Sequence, residues 1–165
     1  MYYLQSELYG LMKKDDLIFD FIQDSSLDGL WYWDLEKPDE EWMNPRFWKT
    51  LGYKPEDMPN SPSAWRNLIN EEDLQTAQEL VGRHLQDPGF VYDQVIRYKH
   101  ANGSTVWIRC RGMAIRDEAG VPKRMLGAHI DITSEKQKEA FIEDLTERIF
   151  KKCPASAEKV FNGID

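Results

Sequence analysis

The sequence predicts an α+β fold, a curved five-stranded antiparallel sheet with short helices laid over one face. Three observations predict it. Three alternating runs between Phe90 and Thr133 are joined by two tight turns. Two shorter strand signals and a series of capped helix starts precede them, and a helical run free of Gly and Pro follows from Ser134. Strands joined by consecutive hairpins pair antiparallel, which makes the second half of the chain a single sheet.

From the start of the chain, Leu4, Leu8, Leu11 and Met12 line one face of a short helix within residues 1–14. Lys13 and Lys14 suit its carboxyl end. A second helix from Asp16 gathers Ile18, Phe21 and Ile22 on one side. Both helices are too apolar on one side to stand free, so they are expected to cover the outer face of the sheet or to meet a partner subunit's copy. Gly29–Leu35 reads as the first strand, Lys37-Pro-Asp39 as a turn and Glu41–Met43 as a short second strand. Asn44-Pro45 starts a helix, with Asn as cap and Pro at the first helical position. Phe47, Trp48 and Leu51 form its apolar face, and Gly52 ends it. Pro55, Pro59 and Pro62 restrict the next segment to a single helical turn. Trp65–Ile69 reads as another short helix, and Asn70-Glu-Glu-Asp73 caps a longer one reaching about Leu85. Leu74, Ala77, Val81, His84 and Leu85 fall on one arc of it.

The long strands come next. Phe90–Lys99 alternates with period two and is rich in aromatic and β-branched residues. Asn102-Gly103 supplies the positive-φ pair of a hairpin. Ser104–Arg116 and Pro122–Ile132 alternate again, separated by Asp117-Glu-Ala-Gly120. Ser134–Lys152 is expected to be helical. Its Ile142, Leu145 and Ile149, flanked by Phe141 and Phe150, suit either a coiled-coil seam or packing back on their own domain. Pro154 stops the helix, and 153–165 reads as a frayed linker or disordered tail.

A chain of 165 residues is one domain's worth, long enough for a real core. Its net charge of −8 argues against a nucleic-acid surface, which needs clustered Lys and Arg. No apolar run approaches membrane-spanning length, the start lacks a signal-peptide layout, and Cys110 and Cys153 give no disulfide framework. A cytoplasmic protein is expected. The sequence has no Gly-rich phosphate loop, nucleophile elbow or His-Glu-x-x-His helix, so no catalytic residue is assigned and no enzyme is expected. The acidic run Asp39-Glu40-Glu41 and the pair Glu71-Glu72 read as turn and capping residues. Asn102-Gly103-Ser104 matches a glycosylation sequon, and a hairpin turn accounts for it.

Several segments together resemble a known family. Gly29-Leu-Trp-Tyr-Trp-Asp34, Asn44-Pro-Arg-Phe47, Leu51-Gly-Tyr53, Trp65 with Leu68-Ile69, and Glu72-Asp73-Leu74 come first. The Asn-Gly turn, Trp107-Ile108, Arg116-Asp117, Leu126-Gly127 and Asp131-Ile132-Thr133 follow in order. Over residues 27–135 the chain resembles a PAS sensory domain with its C-terminal PAC motif, of the kind found in bacterial sensor histidine kinases and cyclic-di-GMP signalling proteins. The resemblance implies strand order 2-1-5-4-3, N-terminal flanking helices in 1–26, a sensory domain in 27–133 and an output helix in 134–152. It also implies that the first helices flank the sheet and that the chain is a homodimer through flanking helices and the outer sheet face.

Sorting the strands by parity under that resemblance gives a ligand-pocket set: Trp31, Trp33, Tyr92, Gln94, Ile96, Tyr98, Ile108, Cys110 and His129, with Phe47 and Leu51 from the helix above. The outward set, including Val95, Trp107, Met113, Leu126, Ala128, Ile130 and Ile132, is apolar too, so burial of the outer face is expected. The inward set suits a small-molecule site, and equally a core that its aromatics fill. His129 stands where flavin-binding relatives carry a ligand-bonding Gln. It could bond a ligand, titrate near neutral pH, or be a satisfied core histidine. Flavin photochemistry would need a cysteine where Met58-Pro-Asn-Ser-Pro-Ser63 has none. Haem relatives carry an axial His on the long helix, a place approached here only by His84 near its end. His84, His100 and His129 lack paired ligand spacing, so no metal is expected and the cofactor stays unknown.

The family implies that the domain senses a ligand or state and passes strain through its last strand into the helix beyond. Trp107, Asp131, Ile132 and Thr133 are the relay candidates, Asp131 and Thr133 standing where strand becomes helix. Such a helix usually leads to a histidine kinase or a diguanylate cyclase. Neither is encoded in these residues, which leaves open whether the chain is a piece of a longer protein. The other reading is a ligand-free dimerisation and relay module.

Overall fold

Asn44, Gly52 and Asn70 stand at element boundaries as the sequence predicts, whereas at the Asn102-Gly103 hairpin turn only Gly103, and not Asn102, takes a positive φ. The structure, a computed structural model, describes residues 3–152. The tail expected at 153–165 lies outside the described residues, as does Cys153. The helices are α1 (Tyr3–Met12), α2 (Asp16–Ser26), α3 (Pro45–Thr50), α4 (Ser63–Arg66), α5 (Glu71–Gln86) and α6 (Thr133–Lys152), with a single 3-10 turn at Pro55–Asp57. The strands are β1 (Gly29–Asp34), β2 (Glu41–Met43), β3 (Tyr92–Lys99), β4 (Thr105–Arg116) and β5 (Pro122–Asp131). They form one antiparallel sheet in the order β2-β1-β5-β4-β3. The chain divides into two compact units, 1–131 and 132–165.

In the first unit, the buried Asn44 ties α3 to the sheet. Its side-chain oxygen accepts from the Phe47 N–H, capping the helix, and from the Leu30 N–H of β1. That places Phe47, Trp48 and Leu51 against the inner face, all essentially inaccessible to solvent. Asn70 caps α5 by accepting from Glu72 and Asp73 N–H. Its segment also covers the open edge of β3. The Asn70 N–H donates to the Arg97 carbonyl, the Lys99 N–H to the Leu68 carbonyl, and Ile69 bridges Tyr98. An unpaired strand edge is a site for wrong pairing, and this closure removes it.

Several boundaries differ from the sequence expectation. The helix expected at Trp65–Ile69 is instead Ser63–Arg66, because the edge of β3 takes Leu68 and Ile69 out of helical geometry. The strand β3 begins at Tyr92 rather than Phe90, because the Phe90 carbonyl is bonded to His84 and its ring lies under the Arg83 guanidinium. The strands β1 and β5 each end one residue early, at Asp34 and Asp131. At Asp34, the side chain turns back to accept from the Glu36 and Lys37 N–H groups.

The N-terminal helices depart further from expectation. No residue of α1 or α2 is buried, and Leu17 and Phe21 stay more than 70 % exposed. Asp15 caps α2, and the Gln23 side chain reaches Asn44. On the outer face Trp107, Leu126, Ala128 and Ile130 are half-buried, whereas Val95 and Met113 are exposed.

The second unit carries α6. Lys136 pairs with Glu139, Arg148 with Asp144 and Lys151 with Glu147, spacings that support a solvated helix. Phe141, Ile142, Leu145, Ile149 and Phe150 are exposed along it. No helix among the described residues is long and apolar enough to cross a membrane.

Candidate functional site

A cavity of about 340 Å³ lies between the inner face of the sheet and the helices α4 and α5. Of the pocket set, Trp31, Trp33, Tyr92, Ile96, Tyr98, Cys110 and His129 line it. Phe47, Leu51 and Ile108 do not, because they are packed solid in the core with no accessible surface. Gln94 does not either; its amide turns toward α5 and donates to the Asp73 carbonyl.

The floor is set by Trp31. Its indole lies over Gly112 and Gly127 on the neighbouring strands, so closely that a Cβ at Gly127 would fall inside the ring. Both glycines are therefore needed for close approach rather than for backbone freedom. Tyr92 meets the indole edge-on at 6.4 Å between centroids. Among the described residues the Trp31 Nε1 has no hydrogen-bond partner of normal geometry and only the weakly accepting Cys110 sulfur near it. Burial pushes the Cys110 thiol up to about 12 and lifts Tyr92 and Tyr98 above the ordinary phenol range, so these groups face the cavity uncharged.

His129 is buried against Phe47, with ring centroids 4.7 Å apart. Its Nδ1 has no partner among the described residues. Burial alone drops its pKa to about 3, so the imidazole is neutral at physiological pH and does not titrate near neutrality. That removes the pH-titrating reading of His129. An unpaired buried nitrogen in a cavity wall also departs from a satisfied core histidine.

Glu41 is the charged β2 residue among the lining residues that sequence reasoning missed. It sits on β2 opposite Trp33, is 7 % exposed, and its Oε2 accepts from the Trp65 indole N–H at 2.8 Å. Loss of hydration raises its pKa to about 7, against the opposing pull of the Trp65 bond and the Arg66 charge. The signal was parity: Glu41 shares a strand face with Met43, which is buried. Trp65 and the α5 residues Leu74, Ala77, Val81 and Leu85 complete the roof.

The haem and flavin expectations meet the same walls. Both nitrogens of His84 are engaged: Nδ1–H donates to the Phe90 carbonyl, and Nε2 accepts from the Ala114 N–H. His84 is thus a tie between α5 and β4, and it does not fit an axial ligand role. Trp31 fills the space over the central glycines, and no cysteine stands in 58–63, so the residues do not fit flavin–cysteine chemistry. No group of three or more potential metal ligands occurs among the described residues.

The relay candidates lie at the end of β5. Asp131 ends that strand and Thr133 begins α6, leaving Ile132 alone between them. Sequence reasoning did not single out Asp28, which ties this point to the domain. Its Oδ2 accepts from the Asp131 N–H, its N–H donates to the His129 carbonyl, and its carbonyl accepts from Thr50. Trp107 is half-buried on the outer face, with the Arg97 guanidinium 5.9 Å from its ring.

Comparison with known proteins places this architecture. The family model described as PAS fold matches residues 40–129. The sensor protein FixL of Bradyrhizobium diazoefficiens is 29 % identical over 111 residues, 67 % of this chain and 21 % of that protein. The chain thus spans about a fifth of that relative. A sensory box histidine kinase/response regulator structure from Burkholderia thailandensis superposes with TM-score 0.67 at 26 % identity, over 81 % of this chain and 98 % of that one. The N-terminal domain of a diguanylate cyclase with PAS/PAC sensor from Marinobacter aquaeolei gives 0.56 at 22 % identity, over 66 % and 97 %.

Proposed function

Because the chain belongs to the PAS fold family, we propose that it is a non-catalytic sensory input domain that binds a small molecule beneath Trp65 and reports occupancy through α6. The cavity carries this reading. It is apolar-walled, near the lower size limit of ligand sites, and bordered by polar groups that the protein leaves unpaired. Buried polar groups without partners are uncommon, because each costs roughly 1–3 kcal/mol, and a ligand would repay that cost at Trp31 Nε1 and His129 Nδ1. Binding there would act on β5, whose His129 belongs to the wall and whose Asp131 borders the single residue before α6. Output through a histidine kinase or diguanylate cyclase, and homodimerisation through the exposed apolar faces of α1, α2 and α6, belong to the same proposal.

One observation favours the second reading, a relay module without ligand. Trp31 already occupies the sheet's central hollow, as a filler would. Native mass spectrometry of the purified chain, with His129→Gln as the contrast, separates the two. A bound small molecule whose occupancy changes in the variant is expected. Protein that remains free of ligand in every preparation and against a fragment set would leave the relay module standing.

A further inference from the structure

Resting on the cavity reading above, we propose that the pocket is selective for small organic amines, with Glu41 as counter-ion and the tryptophans around it as a cation-binding wall. The geometry is that of a buried carboxylate among indoles. Glu41 lies opposite Trp33 in the β1–β2 register and accepts from the Trp65 N–H through Oε2. Trp33 donates its own N–H away from the cavity, to the Pro38 carbonyl. Among the described residues the Trp65 indole bonds only Oε2 of the carboxylate, and Oε1 is not fully enclosed by protein, so it stays open to a partner in the cavity. Arg66 lines the same cavity, and its charge acts on Glu41 electrostatically rather than through a direct ion pair. An acceptor-only group with one oxygen unused, in an apolar cavity, is completed by a donor that carries positive charge. Indole faces attract the same charge, increasingly so where water is excluded. A ligand carrying an anion would instead meet the carboxylate, and a hydrocarbon would leave its oxygen unpaired.

The groups that face Glu41 across the cavity are Arg66 from α4, Tyr92 and Tyr98 from β3, Cys110 from β4 and His129 from β5. Burial holds the phenols and the thiol protonated and keeps the imidazole neutral. Glu41 is then the wall residue whose charge changes between about pH 5.5 and 8.

Calorimetric titration of the full chain at pH 8 with 2-phenylethylamine and with 2-phenylethanol, similar in shape and different in charge, tests the assignment. The amine is expected to bind at least about tenfold more tightly, in line with a charge-assisted bond. Glu41→Gln, which keeps an acceptor for Trp65, is expected to erase that preference, bringing the two probes within about twofold of each other. Should the variant fail to fold, the wild-type chain decides: its amine affinity is expected to fall severalfold from pH 8 to 5.5, with that of the alcohol unchanged. Equal binding of both probes, or an amine preference that survives Glu41→Gln or is flat with pH, would overturn the amine assignment and leave the cavity reading intact. Binding of neither probe at millimolar concentration would overturn both.

Discussion

At Glu41 and Asp73 the same functional group meets opposite environments, and the pH dependence of stability follows from the difference. Arg97 holds the Asp73 carboxyl below its ordinary range through a side-chain bond, aided by the Arg97 N–H. Its folded pKa is depressed, so Asp73 contributes stability that is present above the unfolded value of 3.8 and lost as pH falls through the folded one. Glu41 runs the other way. Its pKa is raised from 4.5 to about 7, so its contribution is fully present below 4.5 and is lost as pH rises through 7. The difference is worth up to about 3 kcal/mol, an order-of-magnitude figure. In urea titrations from pH 4.5 to 8, Glu41→Gln is expected to lose that decline; an unchanged slope would show that Glu41 is not desolvated. This contrast was not legible in the sequence. Asp39-Glu40-Glu41 looks like a turn, which hid the parity of Glu41 with Met43 that the pairing of β2 with β1 turns inward. Trp31, Tyr92, Tyr98 and His129 were legible as inward residues, because alternation fixes the face of every second position.

At the scale of elements, small numbers of polar ties hold helices to the sheet. His84 joins α5 to β4, and Arg116 donates to the His84 and Leu85 carbonyls, satisfying the end of the same helix. His84→Phe is expected to cost about 1–3 kcal/mol, because the half-buried Ala114 N–H and Phe90 carbonyl lose their partner. Thermal denaturation measures it, and a neutral result would show that water replaces the imidazole. The β1–β5 pairing depends on close approach instead. Gly127→Ala would drive a methyl group into Trp31 and the Arg111 carbonyl, and a loss of about 3 kcal/mol or more is expected. Trp31→Ala in the same chain should recover part of it; no recovery would mean that the backbone contact dominates. Sequence periodicity found these strands, and capping residues found α3 and α5, because both signals are local. The displaced α4 and the late start of β3 were not legible, since each is set by partners distant in the chain: Leu68 and Ile69 by the edge of β3, and Phe90 by His84. Asp28 was not legible, because nothing local shows that its carboxylate accepts from the Asp131 N–H.

At the scale of the whole molecule, the proposed relay runs from the cavity to the end of β5. The route is short: His129 in the wall, Asp131 two residues on, and one residue before α6. A two-state response needs a point that can be held or released, and the Asp28–Asp131 bond is placed to serve as one. Asp28→Ala is expected to increase hydrogen exchange at the Asp131 amide by at least about tenfold while the centre of β4 stays protected. Equal loosening of both would assign Asp28 to global stability alone. The sequence made the sheet order and the strand-to-helix junction accessible through resemblance. It did not show that α1 and α2 leave their apolar faces exposed, since an amphipathic pattern specifies a face to be covered and not what covers it.

The most direct test follows two places at once by heteronuclear NMR: the Trp65 indole N–H, bonded to Glu41, and the amides of Asp131 to Lys136. During titration with fragments small enough for the cavity, the account predicts that the indole signal and the junction amides shift together, with one midpoint. Fragments that move Trp65 to saturation while the junction amides stay fixed would contradict it.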